Sequence, residues 1–219
     1  MKSAPQFTIA RDGTALAYRV HGTGPSALVF TNGYATSDFY WEHQVNYFAP
    51  TRRVVTWDLK GHGRSGPAHD LNACTIEECV DDLARVLDAA GVETAALAGF
   101  SLGCQIILEA WRTLSDRITH LIPIFGTYGS PFDSLVHPII GRRAYSLFRR
   151  IAPTYASEAM VGMHHAMSTP LAHISNQIFG MVGPGVARDT MQPLYDHFLE
   201  IDGPTWAAMG IAAQEHSAI

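Results

Sequence analysis

Through residues 6–125 the chain alternates continuous apolar runs with apolar positions at helical spacing, and the two patterns predict strands and helices in turn. "QFTIA" (6–10) and "TALAYRV" (14–20) are short β-type runs joined through "RDG". An Asp-Gly pair between such runs signals a hairpin, so the chain is expected to open with two antiparallel strands. "ALVFT" (27–31) and "RVVTW" (53–57) have the pattern of strands buried on both faces. "FYWEHQVNYF" (39–48) reads as a helix. Thr75-Ile76-Glu77-Glu78 has the form of a capping box, and Ile76, Cys79, Val80, Leu83, Val86 and Leu87 keep helical spacing until Gly91. "TAALAG" (94–99) is the next strand, "CQIILEAWRTL" (104–114) an apolar helix and "HLIPIF" (120–125) a sixth strand. Pro123 is awkward there, because proline cannot donate to a central ladder.

Strands alternating with helices imply an α/β fold, a mostly parallel sheet with helices on both faces behind the N-terminal hairpin. Functional groups then belong in the loops beyond the strands' carboxyl ends, here 32–38, 58–65 and 99–103. From about Gly126 the texture changes to helical stretches broken by Gly and Pro, and no further convincing strand follows. Six of the seven methionines (160, 163, 167, 181, 191 and 209) fall in this part. The expected division is a core over residues 1–126 and a helical lid over 127–219. The arginine pairs 142/143 and 149/150 would form one stripe on a helix, either a solvated face or a gate for an anionic substrate. The methionines fit an adaptable apolar pocket or ordinary helix packing.

Composition narrows the class. The 219 residues are 47% hydrophobic and 16% charged, with a formal net charge of −5, which suits a globular chain and gives no electrostatic reason to expect nucleic acid. Cys74, Cys79 and Cys104 lack metal-ligand spacing and are expected to be reduced thiols, with Cys104 packed under the turn that precedes it. No apolar run resembles a signal peptide or a membrane span, so a cytoplasmic location and no membrane partner are expected.

The candidate chemistry is at "LAGFSLGCQ" (97–105). Gly99-Phe100-Ser101-Leu102-Gly103 fits G-x-S-x-G, closing a β-run and opening a helix, the context in which this motif lifts a serine hydroxyl clear of the sheet. The bland alternative is a serine in an ordinary βα loop. A nucleophilic Ser101 generates an oxyanion that needs fixed N–H donors. The backbone N–H groups of Leu102 and Tyr34 are the candidates, with Gly33 allowing a tight turn; otherwise Tyr34 is a plain loop aromatic.

"ALVFTNGYATSDFYW", "VVTWDLKGHGRS" and "LAGFSLG", in that order and spacing, resemble the α/β-hydrolase superfamily, and most closely its esterase, enol-lactonase and perhydrolase-like branch. The resemblance covers residues 6–125 well and the rest more loosely. It implies an α/β-hydrolase fold, a serine mechanism without metal or organic cofactor, and an oxyanion N–H at Tyr34. Asn32 stands where many members have histidine. Asp58, His62 and Ser65 correspond to a structural turn near the pocket, not to the catalytic triad. A serine at position 101 also argues against the dehalogenase and epoxide-hydrolase branches, which use aspartate there.

The family order is nucleophile, lid, acid, histidine, and the strands carrying the last two are not recognisable here. Substitutes would have to come from Asp133, Asp189 or a histidine after the turn (His137, His164, His165, His173, His197 or His216). The expectation is therefore a serine hydrolase of small ester, lactone or related acyl substrates whose acid and histidine lie beyond residue 219, with an unpaired sheet edge open to self-association. The rival readings are a non-catalytic ligand-binding protein on the same fold and an acyltransferase.

Overall fold

A computed structural model describes residues 3–135, 138–178 and 182–218. The apolar runs form one six-stranded sheet in the order β1-β2-β4-β3-β5-β6. Strands β1 (Gln6–Ile9) and β2 (Ala15–His21) make the expected antiparallel hairpin, turning at Gly13 with φ 90°. β2 pairs antiparallel with β4 (Arg53–Trp57). From there β3 (Ala27–Thr31), β5 (Ala95–Phe100) and β6 (Ile118–Ile124) continue in parallel.

Alternation along the buried strands sorts their side chains to two cores. Leu28, Phe30, Val54 and Ala98 face Trp41 and helix α1 (Glu42–Phe48). Val29, Val55 and Leu97 face α2 (Ile76–Ala89) and α3 (Leu102–Leu114) through Ile76, Leu83, Ile106 and Ile107. Asp38–Trp41 is a short 3-10 turn, so only the second part of the helix expected over 39–48 is α-helical. Thr75 caps α2 by accepting from the Glu78 N–H at 3.2 Å. Glu78 does not return the bond; it accepts from Arg11 at 2.9 Å.

β6 is the outer strand, which resolves the awkward proline. Ile124 C=O accepts from the Ser101 N–H at 3.0 Å, so Ile124 and Ile122 turn their backbone groups inward and Pro123 turns its nitrogen to the open edge, where no ladder bond is lost. Ile122 and Ile124 are partly bare.

Helices α4 (Pro131–Leu135), α5 (Pro138–Met167), α6 (Pro170–Ile178), α7 (Arg188–His197) and α8 (Gly203–Glu215) follow. α5 is interrupted at Tyr155, just after Pro153. Ala152, Ala156, Met160, Tyr195, Phe198, Trp206 and Ala207 form a separate core, with Met163, Met167 and Met191 against it. Helix packing thus accounts for these methionines; Met181 and His137 lie outside the described residues. α8 belongs to both cores, since Met209 and Ala213 insert into the one under the sheet. Arg142, Arg143, Arg149 and Arg150 are exposed on α5, with Arg142 facing Asp133 at 4.0 Å and Arg149 facing Glu215 at 3.3 Å. Among the described residues, no helix is long and apolar enough to cross a membrane.

Candidate active site

Ser101 stands between β5 and α3 with φ 51° and ψ −111°, a conformation that a non-glycine residue adopts only when its surroundings impose it. The neighbours impose it here. A Cβ on Gly99 would lie 2.2 Å from Gly103 O, and one on Gly103 would lie 2.5 Å from Thr31 O. Only glycines let the strand end, the helix start and β3 approach this closely. Cys104 locks the turn from below, its buried thiol donating to Gly99 O at 3.1 Å. Cys74, Cys79 and Cys104 are all free and buried.

The loop after β3 lies against this turn, for a Cβ on Gly33 would stand 3.1 Å from Ser101 Cβ. Side-chain tethers hold the loop. Asn32 Nδ2 donates to Trp57 O at 2.7 Å and to Asp58 Oδ1 at 3.1 Å, while its Oδ1 accepts from Trp41 Nε1 at 2.7 Å. Asn32 thereby stitches the ends of β3 and β4 to the 3-10 turn at Trp41, a role that uses both ends of an amide. Tyr34 stacks on Trp206 with ring centroids 5.1 Å apart, and its hydroxyl donates to Trp206 O at 2.8 Å. Burial pushes the Tyr34 phenol well above its ordinary pKa. Thr36 Oγ donates to Gly33 O at 3.0 Å. Among the described residues, the backbone N–H groups of Tyr34 and Leu102 have no protein acceptor.

His62 completes the support. It is fully buried, its Nδ1–H donating to Lys60 O at 2.8 Å and its Nε2 accepting from the Ala35 N–H at 3.2 Å. Both ring nitrogens are committed to backbone, and burial lowers its pKa to about 4, so it is a neutral loop strut at pH 7. Asp58 is a second hub, accepting from the N–H groups of Asp38 at 3.0 Å and Arg64 at 3.1 Å. Burial lifts its carboxyl to about 6 against the pull of those bonds. Ser65 Oγ donates to Asp58 O at 2.6 Å and accepts from the Ala17 N–H at 2.9 Å. Asp58, His62 and Ser65 are thus tied into one turn.

Tyr34, Ser101 and Leu102 line one cavity of about 200 Å³ with Gln105, Phe125 and Phe132 among its other walls. A larger cleft of about 700 Å³ lies between α2 and α8 and does not include Ser101. Among the described residues Ser101 Oγ makes no hydrogen bond, and four of the histidines after the turn have partners elsewhere, while His165 is exposed beside the His164 ring. His164 Nδ1 meets Tyr195 O at 3.0 Å, His173 Nε2 meets Val186 O at 2.9 Å, and His197 Nδ1 meets Glu200 at 3.4 Å. His216 lies between Glu77 at 3.2 Å and Glu109 at 3.5 Å. Asp189 starts α7 and Asp133 sits in α4, and among the described residues no histidine pairs with either. Sequence reasoning passed over Gln105, whose only signal is a polar residue in an apolar helix four positions after Ser101.

A family model described as the alpha/beta hydrolase fold matches residues 26–134. This chain is 29% identical over 195 residues to a protein of Azorhizobium caulinodans with the provisional name carbamate hydrolase RutD, covering 86% of this chain and 70% of the relative. It is 35% identical over 112 residues to the strigolactone esterase D14 of Arabidopsis thaliana, covering 50% and 42% of the two chains. It is 33% identical over 94 residues to 3-oxoadipate enol-lactonase 1 of Acinetobacter baylyi, covering 42% and 34%. The crystal structure of an enol-lactonase from Burkholderia xenovorans LB400 superposes with a TM-score of 0.73 at 19% identity, over 97% of this chain and 74% of the other. A hydrolase from Pseudomonas aeruginosa PA01 gives 0.71 at 20% identity, over 97% and 73%. With the sheet order, the turn at Ser101 and these matches together, the chain belongs to the α/β-hydrolase superfamily. It spans 70% of the RutD protein's length and less than half of the esterase and lactonase relatives.

Proposed function

We propose that Ser101 is the nucleophile of a serine hydrolase that cleaves an ester, lactone or related acyl bond. Its hydroxyl attacks the substrate carbonyl, the bond to the leaving group breaks, and an acyl-Ser101 forms that water then hydrolyses. The Tyr34 and Leu102 N–H groups are the donors for the oxyanion, and the start of α3 adds its partial positive charge at the same point. The observation that carries this reading is the φ of 51° at Ser101, in the strand-to-helix turn that opens on a cavity shared with Tyr34 and Leu102. In this reading residues 1–126 are the catalytic core and 127–219 its helical cap, with α8 fastened to both. The hydrolase names of the relatives support the reaction class.

Proton transfer is assigned to an acid and a histidine outside residues 1–219, because none of the described histidines is recorded against Ser101. The oxyanion donors and binding alone leave only weak residual catalysis. An aryl acetate assay of the 219-residue chain should therefore give little turnover. A longer form that continues past Ile219 should give turnover that Ser101→Ala abolishes. Robust turnover by the 219-residue chain, lost in Ser101→Ala, would overturn the external relay and keep the nucleophile. Turnover by the longer form that survives Ser101→Ala would overturn the nucleophile itself. Self-association through the bare β6 edge belongs to the same proposal, and sedimentation equilibrium that finds only monomer across a hundredfold range of concentration would remove it.

A further inference from the structure

The cavity at Ser101 is almost wholly apolar, and none of its lining residues is charged. Four of its walls carry a polar side chain: Tyr34, Ser101, Gln105 and Thr127. Two of these are already committed, the Tyr34 hydroxyl to Trp206 O at 2.8 Å and the Thr127 hydroxyl to Gly129 O at 2.7 Å. Gln105 is not. It is 2% exposed, and its Oε1 is buried without any hydrogen-bond partner. A buried amide that is left unpaired is costly, and an apolar residue of the same size would relieve that cost. One turn further along the same face Glu109 is also buried, but it has His216 at 3.5 Å, while Leu102, Ile106 and Ala110 are buried in the core. Gln105 follows Ser101 by four positions at the start of α3, so the two side chains share one face, roughly 6 Å apart along the axis.

We infer that Gln105 is a specificity residue: its amide takes an N–H or O–H donor that the substrate carries within a few bonds of the scissile carbonyl. This rests on Ser101 marking the reacting centre. The substrate class is then a small, uncharged acyl compound with a polar donor on its acyl side, such as a carbamate or a hydroxy-ester. A substrate carrying a carboxylate finds no cation in this cavity to receive it. A plain hydrocarbon acyl group leaves the Gln105 amide unpaired, and a hydrophobic pocket that contains one unpaired amide discriminates more sharply than an apolar pocket can. Phenyl carbamate and phenyl acetate are a matched pair of probes, alike in size and differing by an amino group against a methyl group at the carbonyl.

Equilibrium binding of the two probes is measured by ligand-observed NMR on the 219-residue chain carrying Ser101→Ala, so that no turnover intervenes. Phenyl carbamate should bind about tenfold more tightly than phenyl acetate, as expected when one hydrogen bond to a buried amide is made or left unmade. Gln105→Leu should bring the two affinities to within about twofold and raise Tm, because it removes an unpaired buried polar group. Should Gln105→Leu fail to fold, Gln105→Met serves for the same comparison, and Gln105→Glu, which can still accept from the probe, should keep the carbamate preference. Equal affinities in the Ser101→Ala chain, a preference that survives in the Leu or Met variant, or no binding of either probe would each overturn the inference. Selective binding alongside a longer form that never turns over an ester would overturn the hydrolase reading and leave Gln105 as the donor-selecting group of a binding pocket. Ester turnover through Ser101 without selectivity would do the reverse.

Discussion

Ser101 and Tyr34 wall the same cavity, and the chain holds them by opposite means. Ser101 is fixed mainly by its neighbours in sequence: Gly99 and Gly103, the helix that starts at Leu102 and the Cys104 thiol beneath, with β3 and β6 touching the turn through Thr31 O and Ile124 O. Tyr34 is fixed by partners that are remote in sequence. Its hydroxyl binds the carbonyl of Trp206, 172 positions away, and the next N–H binds His62. A turn set by local sterics keeps its shape as long as the strand and helix beside it exist. A loop set by distant tethers keeps its shape only while the elements that carry them, α8 among them, stay docked. The geometry for a nucleophile is thus largely local, and the geometry for an oxyanion donor is largely a property of tertiary packing.

The harshest way to break this comparison is to remove the remote tether. Trp206→Ala takes away the ring that stacks on Tyr34 and empties part of the second core, at an expected cost of about 4 kcal/mol. Hydrogen exchange should then show faster exchange at the Tyr34 amide and unchanged exchange at Leu102 in the surviving folded state. Equal loss of protection at both would mean that the two regions open as one. Gly103→Ala strikes the turn at Ser101 instead, placing a Cβ 2.5 Å from Thr31 O at the end of β3. It should cost about 3 kcal/mol, read as a fall in the urea midpoint at constant m-value.

Acid tests the loop through His62. Its pKa of about 4 lies below the unfolded value of 6.5, so the unfolded chain binds the proton more readily between these two pH values. The stabilisation from keeping it neutral is complete above pH 6.5 and is lost progressively towards pH 4, amounting to about 3 kcal/mol. His197, also lowered by burial, acts in the same direction, whereas Asp58, raised to about 6, opposes both. The difference between wild type and His62→Gln isolates the one group. Plotted against pH, the stability advantage of wild type should shrink from pH 7 to pH 4.5, and a constant difference would contradict the neutral-strut role. The mildest perturbation is Tyr34→Phe, which keeps the stack and drops only the bond to Trp206 O. A loss of about 1 kcal/mol in chemical denaturation is expected.

What was legible in the sequence follows the same divide. β3 and β4 run over the residues their apolar patterns mark, because strands buried on both faces leave little choice of residue. The G-x-S-x-G turn was equally plain, since its residue pattern is contiguous, although Gly103 is demanded by Thr31 O on the distant β3. Asn32, Asp58 and His62 could be placed near the pocket but not in their bonds, which depend on how three loops meet. Trp206 carries no sequence signal of its pairing, since nothing in its own surroundings announces a partner at Tyr34. Gln105 was hidden for a related reason: helical periodicity marks a polar residue as out of place without saying what it faces.

The proline on the outer strand gives the sheet a grammar at its border. Along the outward row of β6, the position at Pro123 offers a carbonyl and no N–H, so any strand that lies beside it can donate a hydrogen bond there and cannot receive one. A neighbour with an unbroken run of paired groups would be left with one orphaned acceptor, while a neighbour that bulges or bends at this point would lose nothing. The border therefore discriminates among the chains that try to extend it, favouring an irregular strand over the flat, repetitive pairing from which fibrils grow.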